Sequence, residues 1–381
     1  MIYFDNAATS LKKPPGVTQA VAEALSVMGN PGRSGHTAAR LAADAVYECR
    51  TLASDFFEVE PTNAVFTMNA THGLNIAIRS LVPEGGRVVI SGFEHNSVTR
   101  VLAALRARVA VAGDRLFDRA NSLRSFETML RPDTDAVIVN HVSNVFGFVQ
   151  PLEEIAELCY RKKVPLIIDA AQSAGVLPLS VEKLHAAFIA MPGHKALFGP
   201  QGSGLLLCGS EPKPLLYGGT GSYSMLQTMP EELPDRIEAG TLNVPGICGL
   251  AAGMRFVMQT GLSTIRRREE NLLRSFCTGI KPLDQWTVYR GENGTQVGAL
   301  SLVCRGVDCE TAADWFSEHG IAVRGGLHCS PLAHRSAGTD RTGTVRLSFS
   351  YLNTEAEVRD ALQLLRKNGP LGDAADTDHA S

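Results

Sequence analysis

Short apolar segments alternate with helix-like segments through the first two hundred residues, and this alternation limits the folds open to the chain. Runs such as DAVIVN (135–140), PLIID (165–169) and GLLLC (204–208) are apolar at nearly every inner position, as strands buried on both faces are. Segments with helical spacing, such as 152–161, lie between them. The pattern predicts an α/β fold with a mainly parallel sheet that carries helices on both faces.

The same reasoning places the individual elements and divides the chain. It predicts helices over 17–28, 41–57, 74–81, 152–161, 244–260 and 263–279, and strands over 64–68, 87–90, 135–140, 165–169, 186–190 and 204–208. From Trp286 onward short strands and helices alternate, which predicts a smaller α+β domain. We expect an N-terminal segment (1–15) that packs with the small domain, a large domain (16–255), a small domain (256–368) and a flexible tail (369–381).

Composition excludes several classes of function. The chain has 381 residues and a net charge of −3, so it carries no basic field for nucleic acid or an anionic membrane. The first residues do not resemble a signal peptide, and no apolar run approaches the length of a membrane span, so we expect a cytoplasmic protein. The eight cysteines contain no C-x-x-C pair, and we expect no metal site. Seven lie in apolar runs, whereas Cys329 lies in a loop that we expect to be mobile.

Polar side chains follow the carboxyl ends of several predicted strands, the edge at which ligands bind in open α/β sheets. One of them, Lys195 in IAMPGHKALFGPQGSG (189–204), is an amine that could form a Schiff base with a carbonyl compound. Any single one could instead be a surface residue or a helix cap, as Thr71 could be for the helix after it. Their convergence predicts a ligand site formed by Thr71, His95, Asn144, Asp169, Gln172, His194 and Lys195.

Eight motifs, taken in order, resemble those of pyridoxal-phosphate-dependent cysteine desulfurases of the short-loop type, a group that includes selenocysteine lyases. They are YFDNAATS, NPGRSGH, EHNS, NHVSNVFG, IDAAQSAG, GHKALFGPQGSG, EAGTLN and RGGLHCSPL, and they cover nearly the whole chain up to the tail. The resemblance implies an aspartate-aminotransferase-like fold (fold type I), pyridoxal 5'-phosphate as cofactor and a homodimer with sites at the subunit interface. It also implies L-cysteine or L-selenocysteine as substrate and a sulfur-acceptor protein as partner.

The resemblance further implies roles around the cofactor ring. Lys195 would carry the cofactor as a Schiff base and move the proton at the substrate Cα. Asp169 would pair with the ring nitrogen and keep it protonated, so that the ring can accept electrons. His95 would stack on the ring face. Gln172 would donate to the phenolic oxygen, and Asn144 would reach that oxygen or the substrate carboxylate.

The cofactor phosphate would lie at the start of a helix, where free backbone N–H groups favour anions. By resemblance, it would be bound by the residues after Asn69 and by His194, and by a threonine from the neighbouring subunit; these residues are Ala70, Thr71, His72, His194 and Thr241. Pro192 stands where many members of the family have a hydroxyl residue. Because Pro192 offers neither hydroxyl nor N–H, phosphate binding must depend more on the other groups.

Two arginines suit the substrate carboxylate, since a guanidinium matches a carboxylate with two parallel hydrogen bonds. These are Arg324 and Arg346, and His36 in NPGRSGH is a further candidate for the substrate pocket. Cys329 would be the nucleophile, with Arg324 and His328 as candidates to lower the pKa of its thiol. In the implied reaction Cys329 attacks the substrate sulfur, and the products are a persulfide on Cys329 and alanine.

Other readings of the sequence remain open. A selenocysteine lyase would use the same residues and release selenide. An aminotransferase, lyase or aldolase of the same fold would not need a loop nucleophile such as Cys329. A non-catalytic relative would not need to keep the cofactor-binding residues, such as Lys195 and Asp169. The chain also has Leu327 where many members have a second histidine, and its 217–238 stretch is shorter than the usual hairpin. These departures leave the sulfur acceptor and the pathway open.

Overall fold

The computed structural model describes residues 1–32, 35–292, 294–367 and 369–370. Within these bounds the helices are α1 (Val17–Val27), α2 (Thr37–Phe57), α3 (Ala70–Leu81), α4 (Asn96–Ala104), α5 (Arg119–Met129), α6 (Leu152–Lys162), α7 (Val244–Thr260), α8 (Leu262–Ile280), α9 (Cys309–Glu318), α10 (Pro331–Ala337) and α11 (Glu355–Lys367). The strands are β1 (Ile2–Tyr3), β2 (Ala64–Thr67), β3 (Arg87–Ser91), β4 (Arg108–Ala112), β5 (Ala136–Asn140), β6 (Leu166–Asp169), β7 (Phe188–Pro192), β8 (Gly204–Cys208), β9 (Trp286–Tyr289), β10 (Ala299–Cys304), β11 (Ile321–Ala322) and β12 (Val345–Ser348).

Seven strands form the central sheet, in the order β2-β8-β7-β6-β5-β3-β4. The pairs from β7 through β4 are parallel, and β8 runs antiparallel to both of its neighbours. The predicted α/β fold with a mainly parallel sheet is therefore confirmed. Because β3, β5, β6 and β7 point the same way, their carboxyl ends meet along one edge of the sheet.

Alternating side chains along each central strand enter two separate hydrophobic clusters. In β5, Val137 and Val139 pack into one cluster, and Ala136 and Ile138 pack into the other. This alternation is the pleat of a strand that is covered on both faces, and it explains why the strands are apolar throughout. The sheet is thereby fixed from both sides, which gives the residues at its edge a rigid support.

A smaller antiparallel sheet, in the order β12-β10-β9, forms a separate core with α8, α9 and α11. The first residues of the chain belong to this core: β1 pairs in parallel with β11, and Phe4 is fully buried in the same cluster. The Asn6 amide donates to the carbonyl of Ser348 at 2.8 Å. These contacts support an association of the N-terminal segment with the small domain. Of the predicted tail, 371–381 lies outside the described residues.

Two helices begin earlier than the apolar periodicity predicts, because polar residues cap them. The His36 ring accepts from the N–H of Ala39 at 3.2 Å, and α2 starts at Thr37. The Asn69 side chain accepts from the N–H of His72 at 2.9 Å, and α3 starts at Ala70. The interpretation of Thr71 as the cap of this helix is wrong, since Asn69 performs that role and Thr71 lies inside the first turn.

Candidate active site

A cavity of about 100 Å³ lies at the carboxyl edge of the central sheet. All seven residues that the sequence predicts at this edge line it, as does Ala70; they are Thr71, His95, Asn144, Asp169, Gln172, His194 and Lys195. Asn69, Ser97, Asn140, Ala171 and Pro192 complete the lining. The topology explains this convergence, because each residue ends or follows a strand whose carboxyl end lies at this edge.

Lys195 and Asp169 give the cavity an amine and a carboxylate. Asp169 ends β6, is buried, and accepts from the N–H of Ala171 at 2.9 Å. Burial raises the pKa of Asp169, while that N–H and the charge of Lys195 act in the opposite direction. Burial also lowers the pKa of Lys195 to about 8, against the opposing effect of Asp169. At pH 7 roughly one Lys195 side chain in ten is therefore the neutral amine that nucleophilic attack on a carbonyl requires, far more than for an unshifted lysine.

The turn that carries Lys195 is held from several directions. Gly193 donates to the carbonyl of Ser203 at 2.8 Å, and the N–H of Phe198 donates to the carbonyl of Lys195 at 2.9 Å. The ammonium of Lys13 donates to the carbonyl of Gly199 at 2.8 Å. A Cβ on Gly193 would collide with Ser203, so the turn requires glycine there. The backbone of Lys195 is thus fixed while its side chain faces the cavity.

His95 is a neutral ring on the cavity wall. Its Nδ1 accepts from the N–H of Ser97 at 3.0 Å and lies 2.8 Å from the Ser97 hydroxyl, which lies 2.7 Å from the hydroxyl of Thr71. Burial, followed by the charge of Lys195, lowers the pKa of His95 to about 4. An uncharged aromatic face that is fixed at one nitrogen suits stacking on a flat ligand.

The start of α3 provides the cavity with an anion-binding end. Backbone N–H groups at a helix N-terminus favour negative charge, and the first turn of α3 contributes Ala70 and Thr71 to the lining. His194 lies on the same cavity with its Nδ1 3.1 Å from the Thr9 hydroxyl. Burial lowers the pKa of His194 to about 4, so His194 can offer a hydrogen bond but no charge.

Six of the predicted site residues do not line this cavity; they are His36, His72, Thr241, Arg324, Arg346 and Cys329. His72 and Thr241 line a second pocket of about 180 Å³ on the other side of the α3 start. Thr241 is exposed there, as a residue that reaches a neighbouring subunit would be. His36 is exposed and caps α2, so within its own chain it contributes to a helix end and not to the cavity.

Asn144 and Gln172 use part of their amide groups within the protein. Gln172 Nε2 donates to the carbonyl of Ala7 at 3.0 Å. Asn144 Nδ2 donates to the carbonyl of His328 at 2.9 Å, and its Oδ1 accepts from the Ser330 hydroxyl at 2.7 Å. Each amide nitrogen therefore keeps one N–H for a group in the cavity.

The two predicted arginines are held together by Asp5, which the sequence analysis did not identify. Asp5 accepts from Arg346 Nη2 at 2.7 Å and from Arg324 Nη2 at 3.0 Å. Arg346 also donates to the carbonyl of Asn144 at 3.0 Å, and its buried Nε has no hydrogen-bond partner in the described part of the chain. Arg346 is thus a buried guanidinium beside the cavity that retains unused N–H groups.

Cys329 is exposed, but its loop is tied down. Its carbonyl accepts from the N–H of Asn96 at 2.8 Å, and Asn144 binds the residue on either side. Three hydrogen bonds therefore anchor the backbone of the loop that the sequence predicts to be mobile. Burial, followed by the charge of Arg346, lowers the pKa of His328 to about 2. His328 is uncharged and cannot place positive charge beside the thiol.

Other cysteines and metal-binding groups do not form a second site in the part of the chain that the structure describes. All eight cysteines there are free thiols, and Cys329 alone is exposed. No group of three or more histidine, cysteine, aspartate or glutamate side chains among the described residues is arranged to hold a metal ion. None of the described helices is both long enough and apolar enough to span a membrane.

Sequence reasoning missed several residues that shape the site. Ser97 links His95 to Thr71, and the EHNS motif was its only local signal. Glu94 is fully buried behind the cavity, where it accepts from the Ser91 hydroxyl at 2.5 Å and from the N–H of Asn140 at 2.7 Å. Burial raises the pKa of Glu94 to about 8, so it is mostly a neutral acid at pH 7.

Comparisons with known proteins agree with this geometry. A family model described as aminotransferase class-V matches residues 2–361. A probable cysteine desulfurase of Pyrococcus abyssi is 31% identical over 96% of this chain and 94% of that protein. Another probable cysteine desulfurase, from Methanothermobacter thermautotrophicus, is 29% identical over 94% of this chain and 92% of that protein. The solved structure of a cysteine desulfurase from Thermococcus onnurineus NA1 superposes with a TM-score of 0.86 at 31% identity, covering 96% of this chain and 94% of that one.

Proposed function

The chain belongs to the aminotransferase class-V family, and on this premise we propose that it is a pyridoxal-phosphate-dependent cysteine desulfurase. It would convert L-cysteine to L-alanine and keep the sulfur as a persulfide on Cys329. One observation carries the proposal: Lys195 and Asp169 share a cavity whose wall residue Asn144 also binds the loop of Cys329. The names of the relatives point to the same reaction.

The residues of the cavity fit pyridoxal 5'-phosphate. Lys195 Nζ is the amine that would hold the cofactor aldehyde, Asp169 would face the ring nitrogen, and His95 would lie against the ring. The start of α3 would bind the phosphate, with Thr71 and His194 as its side-chain donors. When bound, the cofactor supplies an electron sink that stabilises negative charge at the substrate Cα.

Arg346 would bind the substrate carboxylate. Its guanidinium is oriented by Asp5 and by the carbonyl of Asn144, and its Nε and remaining N–H groups are free of partners in the described residues. A planar guanidinium that is held in this way can meet a carboxylate with two parallel hydrogen bonds. Asn144 would contribute its unused amide N–H. Arg324 is about half exposed and would act mainly through Asp5.

Lys195 would take the proton from the substrate Cα, since its pKa of about 8 leaves it partly neutral near physiological pH. The Sγ of Cys329 would then form a bond to the substrate sulfur while the Cβ–S bond breaks. The carbon skeleton keeps the electron pair and is protonated to alanine, and the two sulfurs are oxidised to the persulfide. Cysteine and the enzyme thiol thus give alanine and the enzyme persulfide, with atoms and electrons balanced.

A second copy of the chain would complete the site. Thr241 is exposed on a pocket outside the cavity, as the proposed contact with the partner's phosphate requires. The adjoining segment has no strand between 217 and 238, and it exposes large apolar side chains; these are Tyr217, Tyr223, Met225 and Leu226. Exposed apolar groups of this kind mark surfaces that bind protein. They support a homodimer, with the sulfur acceptor approaching the exposed Cys329.

The proposal is tested by incubating the cofactor-loaded protein with L-cysteine and no keto acid. Alanine should form, and borohydride should link the cofactor permanently to Lys195. Cys329→Ala should form neither the persulfide nor the alanine that accompanies it. The absorbance of the bound cofactor should remain. Cys309→Ala is the matched control, because Cys309 is a partly buried thiol of the same domain. Equal desulfuration by both variants would refute the proposal, and parallel assays with L-selenocysteine determine substrate preference.

A further inference from the structure

The polypeptide on either side of Cys329 is bound by a single residue of the large domain. The carbonyl of His328 accepts from Asn144 Nδ2 at 2.9 Å, and the Ser330 hydroxyl donates to Asn144 Oδ1 at 2.7 Å. The two bonds involve different ends of one amide, so they fix the orientation of Asn144 and of the loop together. Ser330 is completely buried, so its hydroxyl has no access to water as a substitute for Asn144.

The backbone held by these bonds has an unusual conformation. His328 and Cys329 are both left-handed, with φ of 50° and 56°, although neither is glycine. Residues with a side chain rarely adopt this region, and two in succession persist only where surrounding contacts impose it. The N–H of Asn96, which donates to the carbonyl of Cys329 at 2.8 Å, is the third contact that does so.

Asn144 also faces the cavity, where its amide nitrogen keeps one N–H. A group that binds this N–H would act on the same amide that orients the loop. The position of the Cys329 backbone is therefore linked through one side chain to the contents of the cavity.

We propose that Ser330 is a positioning residue: through Asn144 it holds Cys329 in its left-handed conformation and so fixes where the exposed thiol starts from. The inference rests on the proposed function, since that function requires the Cys329 thiol to reach a substrate bound in the cavity. The Ser330 hydroxyl does not line the cavity, and its effect passes through Asn144.

The first test uses cofactor-free protein and hydrogen–deuterium exchange. Loss of one buried hydrogen bond corresponds to about a tenfold larger open population. Ser330→Ala should therefore raise the exchange of two backbone amides about tenfold relative to their unprotected rates. These are the amide of residue 330, which bonds to the carbonyl of Leu327, and that of Asn96, which bonds to the carbonyl of Cys329. Ser336→Ala is the matched control, because its hydroxyl also bonds a large-domain carbonyl, that of Gly92, but does not contact Asn144.

A double-mutant cycle tests whether Ser330 acts through Asn144. Asn144→Ala should raise the same exchange rates at least as much, and the double variant should exchange no faster than Asn144→Ala alone. Additive effects, or a Ser330→Ala effect no larger than that of Ser336→Ala, would overturn the inference. If Ser330→Ala does not fold, the comparison of Asn144→Ala with the wild type decides. Unchanged exchange in Asn144→Ala would show that Asn144 does not hold the Cys329 loop.

The second test separates sulfur transfer from binding in the cofactor-loaded enzyme. Ser330→Ala should slow persulfide formation on Cys329 about tenfold in a single turnover. The L-alanine concentration that half-saturates the change in cofactor absorbance should rise much less than this, because Arg346 is the main proposed ligand of the carboxylate and Asn144 adds a single N–H. A parallel shift of both quantities, or of neither, would contradict a positioning role. If the wild type forms no persulfide, the proposed function fails, whereas the exchange measurements still test the contact with Asn144.

Discussion

Asp5 is the counterion of a buried guanidinium, and its replacement should have a large, local effect. The Arg346 side chain is 3% exposed and lies 2.7 Å from Asp5, whereas the Arg324 side chain is 52% exposed at 3.0 Å. Asp5→Asn keeps the shape and removes the charge. Breaking a buried pair costs about 3–5 kcal/mol because one charge remains buried without a partner. The half-exposed pair with Arg324 contributes at most about 1 kcal/mol.

Hydrogen–deuterium exchange of the β12 amides measures this loss of stability at the strand that carries Arg346. The N–H of Arg346 bonds to the carbonyl of Arg324, and the N–H of Ser348 bonds to the carbonyl of Phe4. A loss of about 3 kcal/mol should speed exchange of both amides by about two orders of magnitude. Arg324→Gln is the control and should speed it by about fivefold or less. If Asp5→Asn and Arg324→Gln exchange alike, Asp5 is not the counterion that Arg346 needs.

Three further outcomes follow from the structure. In cofactor-free protein, the rate at which Lys195 reacts with trinitrobenzenesulfonate should rise with pH around a midpoint near pH 8, because burial favours the neutral amine. Peptide mapping identifies the modified lysine, and a midpoint above pH 10 for Lys195 would contradict this. Glu238→Gln should lower the free energy of unfolding by about 3 kcal/mol, because Glu238 forms a buried bidentate pair with Arg50. Lys183→Gln is the control and should lower it by about 1 kcal/mol at most, because the pair of Lys183 with Glu58 is exposed. Gly147→Ala should cost at least about 2 kcal/mol in urea unfolding, because its φ is 65° and a Cβ would press on two carbonyl oxygens near β10; a change below about 0.5 kcal/mol would refute this.

The convergence of the seven cavity residues could be predicted because each follows an apolar strand of recognisable pattern. Parallel strands leave little freedom for where their carboxyl ends lie, so Asp169 and Lys195 had to share an edge. The segment between 96 and 129 was harder to interpret. Its edge strand β4 is largely exposed, and its charged and small residues carry neither a buried nor an alternating pattern.

Contacts between distant parts of the chain could not be predicted in this way. Asp5 meets Arg346 across 341 residues, and Ser330 meets Asn144 across 186. No local propensity encodes such a pair, because it depends on how the small domain packs against the large one. The anchored Cys329 loop has the same origin: its sequence reads as a glycine-rich turn, and its conformation comes from the large domain.

The most direct test of the proposed reaction is mass spectrometry of the Cys329 peptide after one turnover with L-cysteine. The proposed reaction predicts that this peptide gains one sulfur atom, that reducing agents remove it, and that one alanine appears for each persulfide. Alanine released at the wild-type rate by Cys329→Ala, or a persulfide carried on another cysteine, would contradict it.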